Sequence, residues 1–147
     1  MESKIVLKGH GYFERRKKDG SKIDSWECEN LVVTAGKVEV AKLLNGVDTT
    51  YFRAIAIGTN GAGLGVGNTT LGAEVARALA TLTYEATAKA VFEHTFGFGS
   101  AESYAITEAG IFDSESAGGN MLDRFVFSAK NVDIDTDLFC KITIIVS

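Results

Sequence analysis

The stretch Lys18-Asp19-Gly20-Ser21-Lys22-Ile23-Asp24-Ser25-Trp26-Glu27-Cys28-Glu29 decides the fold class of this 147-residue chain. Asp19-Gly20 is a dipeptide favoured in tight hairpin turns, because such turns need a positive φ that glycine adopts at no steric cost. The eight residues that follow alternate with period two. Ile23, Ser25, Glu27 and Glu29 share one face, and Asp24, Trp26 and Cys28 share the other. Neither face is cleanly apolar, which suits an edge or an interface better than a core. Upstream, Ile5, Leu7, Tyr12 and Phe13 sit among β-formers broken by Gly9 and Gly11, which mark a bulge or bend.

The same signal recurs downstream. Ala54-Ile55-Ala56-Ile57 reads as a buried strand. Leu79, Thr81, Thr83 and Glu85 alternate with Ala80, Leu82, Tyr84 and Ala86, which predicts a strand over Ala80–Ala86 after one helical turn near Glu74–Arg77. Ala90–Phe96, Ser103–Phe112, Asn120–Ser128 and Leu138–Val146 complete about eight strands joined by short turns. That pattern predicts an all-β protein, a β-sandwich or jelly roll, with one short helix. The helix runs from Ala35 to about Asn45, with Thr34 as its N-cap and Asn45-Gly46 as its stop. Val40, Leu43, Leu44 and Val47 follow helical spacing, so Leu44 is expected to pack onto the sandwich. No repeat or linker stands out, so residues 1–147 form a single domain with an N-terminal arm at residues 1–8.

Composition narrows the function classes. Hydrophobic residues are 46% and charged residues 23%, ordinary globular usage that excludes a disordered tail or a coiled coil. With no proline at all, polyproline ligands and collagen are excluded. The net charge of −4 is unevenly spread, at +2 over residues 1–53 and −6 beyond. An acidic chain is a poor general nucleic-acid binder, so no nucleic-acid partner is expected. Arg15-Arg16-Lys17-Lys18 reads as a solvated hairpin end rather than a phosphate patch, because Asp19-Gly20 follows at once. Residues 54–73 carry no charge, but their six glycines and lack of a sustained apolar run describe a loop and no membrane partner. The first residues have no apolar run or small-residue cleavage site, so no signal peptide is expected. In that reducing context Cys28 and Cys140 are expected to be free thiols.

Motifs for chemistry fail on spacing. From Gly58 to Gly67 the glycines never fall at the first, third and sixth positions of a dinucleotide loop, and no Gly-Lys-Ser/Thr ends the run. A surface or contact loop is the better reading. Asp133-Ile134-Asp135-Thr136-Asp137 begins like a calcium loop, but Leu138 stands where glycine is needed and Ile144 where the bidentate Glu belongs. An acidic turn entering the last strand fits better. His10 and His94 have no partner at zinc spacing, and Gly99-Ser100-Ala101-Glu102 is not a nucleophile elbow. No cofactor and no catalytic group are expected, and the chain reads as a non-enzyme.

Several stretches together resemble small virion proteins of tailed bacteriophages. They are Gly11-Tyr12-Phe13, Asn30-Leu31-Val32-Val33-Thr34-Ala35-Gly36-Lys37, Ala56-Ile57-Gly58-Thr59-Asn60 and Thr70-Leu71-Gly72-Ala73-Glu74. The most specific is Ile106-Thr107-Glu108-Ala109-Gly110-Ile111-Phe112-Asp113, continuing through Gly118-Gly119-Asn120-Met121-Leu122-Asp123-Arg124. The chain departs from most such proteins in having glycine rather than proline after Gly58-Thr59. The resemblance implies a capsid decoration (cement) protein located in the virion. Its partner would be the major capsid protein, with homo-oligomers on the particle. A tail or collar component is the runner-up. A carbohydrate-binding module using Tyr12, Trp26 and Tyr104 is the reading from another class. The expected contact residues are Lys4, Ile5, Leu7, Lys8, Tyr12, Arg15 and Arg16 in an N-terminal arm or added strand. Gly61, Gly63, Leu64 and Gly65 in the glycine-rich loop complete the set.

Overall fold

A computed structural model describes residues 2–147. Ten strands and one helix occur among them: β1 (Leu7–Lys17), β2 (Lys22–Glu29), β3 (Leu31–Val32), α1 (Thr34–Leu44), β4 (Ala54–Gly58), β5 (Glu74–Leu79), β6 (Thr81–Glu85), β7 (Lys89–Phe96), β8 (Tyr104–Phe112), β9 (Met121–Val132) and β10 (Thr136–Val146). They form two five-stranded antiparallel sheets, ordered β2-β1-β10-β7-β6 and β3-β9-β8-β4-β5. The all-β sandwich read from the alternation is therefore the fold.

The core lies between the sheets and follows the period-two rule. Along β10, Leu138, Cys140, Ile142 and Ile144 point inward and are almost fully buried. Phe13, Phe92 and Phe96 join them from the first sheet, and Ile55, Ile57, Ile106, Ile111 and Phe125 from the second. β4 is buried on both faces. Its isoleucines enter this core, while Ala54 and Ala56 meet Val33, Leu71, Phe112 and Met121 in a smaller cluster on the other side of the sheet. A strand covered twice needs a continuous apolar run, which is what Ala54–Ile57 supplies.

The hairpin read from Asp19-Gly20 closes as expected. Gly20 sits at φ +88, its N–H donates to the Lys17 carbonyl at 2.9 Å, and Asp19 Oδ1 accepts from the Ser21 N–H. β2 is an edge strand, in keeping with its mixed faces. Four expectations need correction. β1 is not an edge or a free arm, because β2 and β10 bond to its two sides and Leu7 and Lys8 pair with Val146 and Ile145. Among the described residues, only 2–5 precede the paired backbone, since Val6 exchanges hydrogen bonds with Ser147. The alanine-rich segment at Glu74–Leu79 is strand, paired along its length with β4. Tertiary pairing there outweighs helix propensity.

The helix supplies the other two corrections. Thr34 is its first residue and Val33 its N-cap, with no side-chain cap. Leu44 is 80% exposed, and Val47 is exposed as well. The helix docks through Gly36 instead, where an added Cβ would lie 2.3 Å from the Leu122 carbonyl oxygen of β9. Such close approach carries the next turn, with Glu39, against the sheet and lets Val40 and Leu43 touch the core.

Candidate interaction surface

The glycine-rich stretch after β4 is a loop held from beneath by a buried ion pair. Glu108 of β8 is fully buried and Arg124 of β9 is 2% exposed, with Arg124 Nη2 3.0 Å from Glu108 Oε1. Glu108 Oε1 accepts from the Gly72 N–H at 2.7 Å, and Oε2 from the Asn60 and Ala73 N–H groups at 3.0 and 2.8 Å. Arg124 donates to the Asn60 and Ala62 carbonyls and to Asn68 Oδ1. The two charges neutralise each other and satisfy both ends of the loop's backbone, which is what allows them inside. Asn68 finishes the tie, accepting from Gly65 N–H and donating to the Gly63 carbonyl.

Between its fixed ends the loop presents Leu64 and Val66, which are 47% and 54% exposed. Val66 and Gly67 line a hollow with Val38 and Glu39 of α1. On the other flank of α1 runs an open apolar groove, lined by Ile5, Val6, Leu31, Val40, Ala41 and Leu44. The loop and the N-terminal segment thus border α1 on its two flanks, and the three make the candidate surface. Its exposed apolar side chains include Ile5, Val6, Val38, Leu44 and Val66. Exposed apolar side chains gathered around one element are a feature of interaction surfaces.

The residues expected from the sequence divide between this surface and elsewhere. Lys4, Ile5, Leu7 and Lys8 lie at its N-terminal flank; Leu7 is half-buried against the core, and Lys8 Nζ stands 3.8 Å from Glu29. Gly61, Gly63, Leu64 and Gly65 lie together in the loop on the other flank. Gly61 packs against Val126 and Thr107, and Gly63 has φ +73. Tyr12, Arg15 and Arg16 are elsewhere and are engaged within the chain. The Tyr12 hydroxyl donates to Glu14, Arg15 grips Asp24 with two hydrogen bonds of 2.9 and 2.7 Å, and Arg16 bonds Glu14 while lying over the Phe139 ring. These contacts raise Arg15 above and lower Asp24 below their ordinary pKa ranges, each chiefly through their mutual hydrogen bonds. The basic run is an ion-paired hairpin end, and Lys18 reaches Asp137 in the same way.

Sequence reasoning missed Val38 and Val66 and misplaced Leu44. Nor did it single out Glu108 and Arg124, whose only signal was a charged residue at an alternating position inside an apolar strand. The aromatics considered for sugar binding do not converge. Trp26 stacks on Phe13 at 5.5 Å with Phe127 beside it, Tyr12 points to the opposite face of the sheet, and Tyr104 packs on Phe98 in the other sheet's region. Asp133 caps its own turn through the Asp135 N–H, while Asp137, already in β10, pairs with Lys18. Cys28 and Cys140 are free thiols, and desolvation pushes Cys28 up to about 12 and Cys140 upward too. No helix among the described residues is long and apolar enough to cross a membrane. No protein-family model matches the chain, and the curated proteins contain no match to it.

Proposed function

We propose that this chain is a non-enzymatic structural protein of a tailed-phage particle, a cement protein that holds neighbouring capsid subunits. One observation carries the reading: exposed apolar side chains on and beside α1, namely Ile5, Val6, Val38, Leu44 and Val66, next to a loop whose shape is fixed in advance. A loop ordered before binding loses little entropy on contact, so even a modest interface can hold. Repetition over a lattice multiplies modest interfaces into firm attachment. Two sheets with open edges, β2 and β6 in one and β3 and β5 in the other, add places where a partner strand can bond. The resemblance of Ile106–Asp113 and Gly118–Arg124 to virion proteins supplies the class of partner.

The test is sedimentation with phage heads that lack the chain, and with isolated tails, at several salt concentrations. Binding to heads should survive added salt, because the contact surface is apolar, and should weaken at least tenfold in Leu44→Ser. Leu44 is exposed, so that variant should fold normally. Binding to tails alone would replace the cement reading with the tail or collar one. Binding to neither would overturn both.

A further inference from the structure

The docking of α1 by its glycine has a chemical result one turn further along the helix. Glu39, one turn beyond Gly36, is pressed into the protein and is only 3% exposed. Asp48, in the turn after the helix, and Asp113, buried at the end of β8, meet it there. One carboxylate oxygen from each of the three lies within 4.8 Å of the others. Three carboxylates so close carry a formal charge of −3. The cation nearest Glu39 is Lys42, whose Nζ is 3.9 Å from Glu39 Oε1, beyond hydrogen-bonding reach, and whose side chain is half exposed.

Glu39 Oε2 is buried and has no hydrogen-bond partner among the described residues. Buried carboxylate oxygens are ordinarily satisfied, so an unpartnered one on a member of a three-acid cluster calls for a cation or a proton. The other two acids are already oriented. Asp48 Oδ1 accepts from the Thr50 N–H at 2.9 Å, and Asp113 accepts from the backbone and side chain of Asn120 at 2.7 and 3.0 Å. Each of these carboxylates keeps lone pairs for a further ligand.

We propose that Glu39, Asp48 and Asp113 bind a hard divalent cation through oxygen, in the manner of calcium. Two oxygens on opposite sides of a calcium ion, each about 2.4 Å from it, are about 4.8 Å apart, so the cluster fits within one coordination sphere. The ion would tie the middle of α1 and the turn after it to the end of β8. The competing resolution is a proton held between Glu39 and Asp48: the hydrogen bond it would make to the Asp48 carboxyl is the chief cause that raises the Glu39 pKa, with burial adding to it. The proposal stands independently of the virion reading.

Thermal melts after chelator treatment and desalting separate the two. Calcium at roughly ten to a hundred times its Kd should raise the wild-type Tm by about 3–9 °C. Glu39→Gln and Asp48→Asn keep shape and remove charge, so both should fold without calcium and lose the shift. Asp133→Asn, on the unrelated acidic turn, should keep it. Calorimetric titration should count one calcium per wild-type chain and none in Glu39→Gln. No wild-type shift would leave only a shared proton and overturn the site, as would an equal shift in both cluster variants.

Discussion

Asp123 shows how one residue sets a pH dependence that its sequence position does not announce. It is fully buried, accepts from Asn30 Nδ2 at 2.6 Å and from the Ile111 N–H at 3.0 Å, and makes no salt bridge among the described residues. Desolvation outweighs these two hydrogen bonds and pushes its carboxyl up to about 7. The folded pKa therefore exceeds the unfolded one, and the folded state binds the proton more tightly. Its contribution to stability is fully present below about pH 4 and is lost as pH rises towards 7, amounting to roughly 4 kcal/mol across that window. In denaturant melts from pH 4 to 8, the wild type should lose stability relative to Asp123→Asn as pH rises. Parallel curves for the two proteins would show an ordinary carboxyl. The slope difference is the readout, because the amide also disturbs the Asn30 contact and shifts absolute stability.

At the scale of elements, the glycine-rich loop depends on a strand residue far away in sequence. Glu108 supplies acceptors to three loop N–H groups and to Arg124, so removing it strands a buried guanidinium and several backbone donors. Glu108→Ala should cost about 3–5 kcal/mol in denaturant melts. Hydrogen exchange at Asn60, Gly72 and Ala73 should accelerate in that variant, or in Glu108→Gln should the alanine variant fail to fold. A loss under about 1 kcal/mol with unchanged exchange would mean that the loop holds itself. Elements also differ in how far they could be read. The β1–β2 hairpin was legible because turn chemistry and alternation are both local. β5 was not, because a run of alanines becomes strand only beside β4.

At the scale of the whole molecule, the chain's two ends meet. Leu7 pairs with Val146 and Val6 with Ser147, which places β1 inside its sheet and leaves residues 2–5 outside the ladder. Deleting residues 1–5 should therefore lower the Tm by no more than about 2 °C, since residues 2–5 are exposed and outside the backbone pairing and such terminal segments contribute little. The same deletion should weaken attachment to phage heads, because it removes Ile5 from the groove beside α1. A collapse of the melt would show that the segment belongs to the fold. Unchanged attachment would take it out of the contact surface.

The sequence alone determined what short-range physics determines. Alternation and β-branched or aromatic content specified strands, Asp19-Gly20 specified a hairpin, and a charge-free run with six glycines specified a loop. Tertiary structure decided the rest: which strands are neighbours, that Leu44 lies in water while Glu39 does not, and that Glu108 meets Arg124 under the loop. Each of these depends on chain segments tens of residues apart arriving at one place, such as the backbone of β9 against Gly36. Periodicity fixes which residues share a face, but burial of that face is fixed by the partner that covers it.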